Sequence, residues 1–260
     1  MAEALDKSRR IVFTGASGGI GTMTRPLLAK LYPGLVLSDR VPPKDLQPGE
    51  SFVAADLAKP GEVAAAVKGA HSVIHLGGHS VEGTWDQILN ANIIGCYNLF
   101  EAARVAGVKR VIFASSNHAV GFYPRRRKIG TDITVRPDSR YGVSKAFGEA
   151  LARYYSDAFD MSMICLRIGW FTPIDPTSAP LAPLWISARD MAQIVRLCLA
   201  TPRKFGIYNA TSNNPQAHWA LGAARAELGY APVDDVTVFP MLNGGGSEYV
   251  DPKAGVIDTH

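Results

Sequence analysis

The sequence predicts an α/β protein, a doubly wound parallel sheet with helices on both faces. Three observations predict it. Short apolar runs recur at 10–15, 34–39, 72–76, 110–115 and 161–167, as strands buried on both faces require. Stretches with helical periodicity alternate with them, the pattern of a parallel sheet joined by helical crossovers. The first run leads straight into a glycine-rich turn, Gly15-Ala-Ser-Gly18-Gly19-Ile-Gly21, which opens a helix.

The chain has 260 residues, 47% hydrophobic and 19% charged, which suits one globular domain spanning 1–260. Residues 170–186 and about 211–260 read as a ligand-side loop and a small C-terminal appendage covering the site. The net charge of +4 is scattered, apart from Arg125-Arg126-Arg127-Lys128. Neither a basic stripe nor a recognisable module speaks for nucleic acid. Cys96, Cys165 and Cys198 lie far apart in apolar segments, as reduced core residues of a cytoplasmic protein do. No signal segment is evident at the start, and no apolar run approaches the ~18 residues of a membrane span.

The turn at 15–21 permits close backbone approach to a phosphate, because glycine has no side chain to obstruct it. The helix expected at 20–31 would offer its free N–H groups and positive dipole end to a pyrophosphate. Gly15, Ser17, Gly18, Gly19, Ile20 and Gly21 are therefore the expected cradle of a dinucleotide. Asp39 ends the second strand, 18 residues past Gly21, where a ribose-binding acid belongs. A carboxylate there accepts from the ribose hydroxyls and repels a 2′-phosphate, which favours NAD over NADP. The adjacent Arg40 is the feature that would tolerate NADP.

A third strand at 51–57 brings Asp56 and Leu57 to the adenine edge. The fourth ends in Leu76, Gly77 and Gly78, where the cofactor would pass closely, followed by His79 and Ser80. His75 and His79 do not share a helix face, and no carboxylate or cysteine nearby completes a ligand set, so no metal is expected. A long helix is expected over 83–106, with Leu89, Ile93, Cys96, Leu99 and Ala103 on its core face. Asn92 interrupts it, could bond the backbone near the turn that carries the reacting residues, and is grouped with the cofactor-binding residues. A surface or interface asparagine is the other reading.

The fifth strand delivers Ser115 and Ser116, then Asn117 and His118, to the same crevice. Tyr141 and Lys145 stand four residues apart, one helical turn, on a helix expected over 139–158. A phenol alone ionises near pKa ~10, and a neighbouring ammonium favours the phenolate. Such a pair is a base able to take a proton from an alcohol. Ser116 would hold the reacting oxygen. The Pro-rich stretch 170–185 reads as a wall over the substrate. A helix near 187–200, a strand at 206–210 and a helix near 217–228 complete the chain.

Together these residues resemble a short-chain dehydrogenase/reductase of the extended, sugar-epimerase-like branch, with a Rossmann-type sheet. Longer strings are similar to bacterial uronate dehydrogenases: His75-Leu-Gly-Gly-x-Ser-Val-Glu82, Asn92-Ile-Ile-Gly-x-Tyr-Asn-Leu-x-Glu-Ala-Ala-Arg104, Phe113-Ala-Ser-Ser-Asn-His118, Arg136-Pro-Asp138 and Tyr141-Gly-Val-Ser-Lys-x-Phe-Gly-Glu149. The resemblance implies oxidation of C1 of glucuronate or galacturonate with NAD, giving an aldarolactone. It implies Tyr141 as general base, Lys145 as its tuner and ribose anchor, and Ser116 on the C1 oxygen. Ser80, Asn117 and His118 would contact sugar hydroxyls or the carboxylate. Members of the wider family often dimerise through helices like those at 83–106 and 139–158.

The pattern departs at Trp170, where the family places serine. The family's carboxylate-gripping arginine is also missing, since no Arg or Lys occurs between 168 and 188. Arg189, the 125–128 run and Arg140 are the candidate substitutes. A neutral sugar stacked on Trp170 is the alternative substrate. Two further readings are a nucleotide-sugar epimerase or reductase, for which the C-terminal region is short, and a non-catalytic dinucleotide sensor.

Overall fold

The computed structural model describes residues 9–124, 127–172 and 181–238. One sheet holds β1 Ile11–Thr14, β2 Leu35–Asp39, β3 Ser51–Ala54, β4 Ser72–His75, β5 Arg110–Ser116, β6 Ser162–Ile168 and β7 Phe205–Ala210. The order is β3-β2-β1-β4-β5-β6-β7, and every neighbouring pair is parallel. The expected Rossmann-type doubly wound sheet is what forms. Chain direction across the sheet reverses between β1 and β4, which opens a crevice at the strands' carboxyl ends.

Helices α1 Gly19–Ala29, α2 Pro60–Val67, α3 Trp85–Ile88, α4 Gly95–Val105, α5 Arg140–Phe159, α6 Ala188–Ala200 and α7 Gly222–Leu228 cover the sheet. One face packs Phe13, Leu37, Ile74, Ile112 and Ile164 against α1, α6 and α7. The other packs Val12, Val73, Val111 and Met163 against α2, α4 and α5. Alternate residues of each strand thus serve both layers, which is why the strands read as unbroken apolar runs. Cys96, Cys165 and Cys198 are free and buried, and desolvation pushes the Cys96 thiol up to about 12.

Three expectations change in detail. The strand at 51–57 stops at Ala54, where its partner β2 also ends, at Asp39. The helix expected over 83–106 is not continuous, because a widened π-helical turn, Leu89–Ile94, joins α3 to α4. That turn holds Asn90 and Asn92, poor helix formers. The helix expected near 217–228 begins only at Gly222, and Trp219 instead bridges to Ile129. Arg125, Arg126, 173–180 and the tail beyond 238 lie outside the described residues.

His75 ends β4 beneath the crevice. Its Nδ1 is 2.7 Å from Thr14 Oγ1, and its ring packs against Phe100 and Phe113. Desolvation, aided by the Lys145 ammonium, holds its pKa down at about 3. An exposed imidazole titrates near ~6.5, so in weak acid the unfolded chain binds a proton that the native protein refuses. The stability gained from neutral His75 is complete above pH ~6.5 and is lost as pH falls from there toward 3. The slope reaches about 1.4 kcal/mol per pH unit. Melts at neutral pH and near pH ~5 should show a smaller acid loss for His75→Gln than for the native chain. Equal losses would assign the acid sensitivity to other groups.

Candidate active site

A cavity of about 1630 Å³ runs along the carboxyl ends of the strands, from Asp39 and Asp56 at one end to Trp170 and Trp219 at the other. Small-molecule pockets usually measure ~300–1,000 Å³, so there is room here for a dinucleotide and a sugar together. The glycine-rich turn forms one wall. Gly15 has φ +71°, and a Cβ there would lie 2.6 Å from the Leu76 carbonyl carbon, so the turn closes on β4 only as glycine. A Cβ on Gly19 would meet no protein atom within 4 Å and would stand in the cavity. This bare backbone at the start of α1 fits the pyrophosphate of NAD. Gly18, Ser17, Ile20 and Gly21 line the same wall.

Asp39 faces this end. Its Oδ2 accepts from Ser17 N–H at 3.0 Å and its Oδ1 from Arg40 N–H at 2.7 Å. The carboxylate therefore fixes the turn and presents negative charge at this end of the cavity. Asp39→Asn keeps the size and removes the charge. It should raise the ratio of kcat/KM with NADP to that with NAD at least ~10-fold, the order of one charge-assisted contact. Initial rates with each cofactor measure this, and an unchanged ratio would move the discrimination elsewhere. Asp56, Leu57, Leu76, Gly77 and Gly78 also line the cavity.

Asn92 is not among the residues that line the cavity, and its side chain bonds backbone, as the sequence also offered. Its Oδ1 accepts from His79 N–H at 2.7 Å, and its Nδ2 donates to His79 O and Ser144 Oγ, both at 3.0 Å. All of this ties the loop after β4 to the first turns of α5. The π-helical turn lets a side chain on this long helical segment reach both partners.

The first turn of α5 builds the other end. Ser139 caps the helix through Oγ, which accepts from Gly142 N–H at 2.9 Å. A Cβ on Gly142 would come within 2.3 Å of His118 O, so glycine lets the helix start seat against the turn after β5. Tyr141 and Lys145 are both nearly buried and both border the cavity. Lys145 Nζ donates to Ala114 O at 2.8 Å and stands 5.3 Å from the Tyr141 ring centroid. The ammonium is thus pinned beside the phenol with donors to spare. Ser116 and Asn117 border the cavity and are joined by a 2.9 Å bond from Ser116 Oγ to Asn117 Oδ1. His118 packs edge-on to Tyr141, and its Nδ1 lies 2.9 Å from Asp138 Oδ1. Ser80 and Trp170 are on the wall as well.

Sequence reasoning missed several wall residues. Glu82 accepts from Tyr141 N–H at 2.9 Å and from Arg140 Nε at 2.8 Å. His218 and Trp219 line the cavity near Trp170, from the stretch expected to open a helix at 217 but lying ahead of the helix that forms at Gly222. Of the substitutes for the missing arginine, Arg189 is ion-paired with Asp234, and Arg127 lies over the Tyr123 ring. Neither borders the cavity, whereas Arg140 does. Among the described residues no three His, Cys, Asp or Glu side chains gather to hold a metal, and no helix is long and apolar enough to cross a membrane.

The model of the NAD dependent epimerase/dehydratase family matches residues 11–172. Uronate dehydrogenase of Agrobacterium fabrum is 40% identical over 89% of this chain and 87% of its own length. NAD-dependent glucose-6-phosphate dehydrogenase of Haloferax volcanii is 35% identical over 88% of this chain and 95% of its own. The crystal structure of an Agrobacterium tumefaciens uronate dehydrogenase mutant, complexed with NAD, is similar with a TM-score of 0.84 at 38% identity. The match covers 94% of this chain and 92% of that one.

Proposed function

This chain belongs to the NAD dependent epimerase/dehydratase family and is an NAD-dependent dehydrogenase, and from that premise we propose that it oxidises C1 of a hexuronic acid, glucuronate or galacturonate, to an aldarolactone. The observation that carries the reading is the meeting of Ser116, Tyr141 and Lys145 on the wall that continues from the glycine cradle. The similarity to uronate dehydrogenases supports the choice of sugar.

The chemistry NAD supplies when bound is acceptance of a hydride at the nicotinamide. Gly15, Gly18 and Gly19 present backbone to the pyrophosphate, and Asp39 accepts from the ribose. Ser116 Oγ holds the C1 oxygen. Tyr141 Oη removes the proton of the C1 hydroxyl as the C1–H bond breaks, leaving the lactone carbonyl. Lys145, anchored on Ala114 O, keeps its ammonium beside the Tyr141 ring and has further donors for a ribose hydroxyl. Trp170 and Trp219 exclude water from the sugar's far side.

A neutral aldose is the second reading, favoured by the lack of any Arg or Lys between 168 and 188 and by the aromatic wall there. NADH absorbance with glucuronate and galacturonate, against glucose and galactose, separates the two. Preference for the uronates is expected. Turnover of only the neutral partners would replace the uronate reading, and turnover of UDP-sugars alone would replace both.

A further inference from the structure

Arg140 opens α5 directly before Tyr141, and its side chain borders the sugar end of the cavity. Its Nε donates to Glu82 Oε1 at 2.8 Å. Among the described residues the guanidinium has no other partner, so the Nη1/Nη2 edge keeps its donors. Glu82 is in turn held on both oxygens, since Oε2 accepts from Tyr141 N–H at 2.9 Å. The arginine is therefore tethered at one corner and half-exposed at the other, with 40% of its side chain accessible. A planar fork fixed in this way suits bidentate capture of a carboxylate.

The remaining cations on the described wall have other stations. Arg40 stands next to Asp39 at the far end, and Lys145 is pinned on Ala114 O beneath the phenol. Arg189 is spent on Asp234. The segment 168–188 contributes none by sequence.

We propose that Arg140, oriented by Glu82, binds the C6 carboxylate of the hexuronate and so sets the preference for acid over neutral sugar. This rests on the uronate reading above. It also makes Glu82 a positioning residue shared by the specificity group and the catalytic tyrosine: one carboxylate fixes both the fork and the helix start. The arrangement would replace an arginine on the 170s loop by one on the catalytic helix.

The test is steady-state kinetics of Arg140→Gln and Arg140→Lys on galacturonate and on galactose, with NAD saturating, and with melts and the KM for NAD as folding checks. For Arg140→Gln the KM for galacturonate should rise on the order of 10- to 100-fold, the loss of a charged hydrogen-bonding pair. The change for galactose should be several-fold smaller, and Arg140→Lys should recover part of the affinity. If the native chain prefers the uronate and Arg140→Gln keeps that KM within about twofold, the inference is wrong and the functional reading stands. Equal losses on both sugars would make Arg140 only a support for Glu82 and Tyr141, which also overturns it. An Arg125→Gln/Arg126→Gln variant that alone abolishes the acid preference would transfer the role to that pair. No uronate turnover by the native chain would remove the functional reading and the inference together.

Discussion

Tyr141→Phe should lower kcat by roughly 10²- to 10⁴-fold, the range general-base catalysis supplies. It should leave NAD binding within a few-fold of the native value. The substitution deletes one oxygen and keeps the ring, so the edge-on contact with His118 and the nearby Lys145 ammonium survive. Tyr141 N–H still donates to Glu82, and Ser139 still caps the helix, so α5 has no reason to move. The glycine cradle lies on a separate wall, built by β1 and α1. The loss should fall on kcat more than on KM, because the hydroxyl matters most while the proton is leaving. Single-turnover rates and NAD titration by fluorescence report the two effects separately. Turnover within tenfold of the native enzyme would assign the base to another group, with His118 next in position.

The fold and the cofactor wall were legible because both rest on local sequence. Strands buried on both faces must be apolar without interruption, and a turn that backs onto a phosphate must lack side chains. The place of Asp39 beside the turn, at the end of β2, was readable from its spacing. The partners of Asn92 could not be named, because His79 and Ser144 lie 13 and 52 residues away and meet it only once the helices pack. The Glu82–Arg140 contact spans 58 residues and has no periodicity to betray it. β3 stops at Ala54 because its partner β2 ends opposite it, at Asp39, a limit set by pairing and not by the residues of 55–57. The walls at Trp170 and Trp219 meet by long-range packing around Leu184, which no window of residues contains.

The largest stability loss should come from beneath Ser116, Tyr141 and Lys145. Glu149, one turn beyond Lys145, accepts from Arg167 Nε and Nη2, each at 2.8 Å. Its Oε1 also accepts from Ser115 Oγ at 2.6 Å. The two side chains are only 4% and 1% exposed. The cluster joins β5, α5 and β6 beside Ser116, so it fixes the serine relative to the helix that bears the tyrosine. Burial makes the pair costly to assemble and costlier to break, because a lone charge left behind finds little water. Arg167→Met should therefore cost about 3–5 kcal/mol and lower Tm by roughly 10 °C. Glu149→Leu should do the same, stranding the guanidinium. Combining the two removes both charges, and the double variant should melt above either single one, a sign opposite to additive loss. Thermal and urea melts of the four proteins decide it. Singles within ~2 °C of the native chain would mean that water reaches the pair, and a double variant with the summed loss would mean that packing of these side chains, rather than their charge, holds the three elements together.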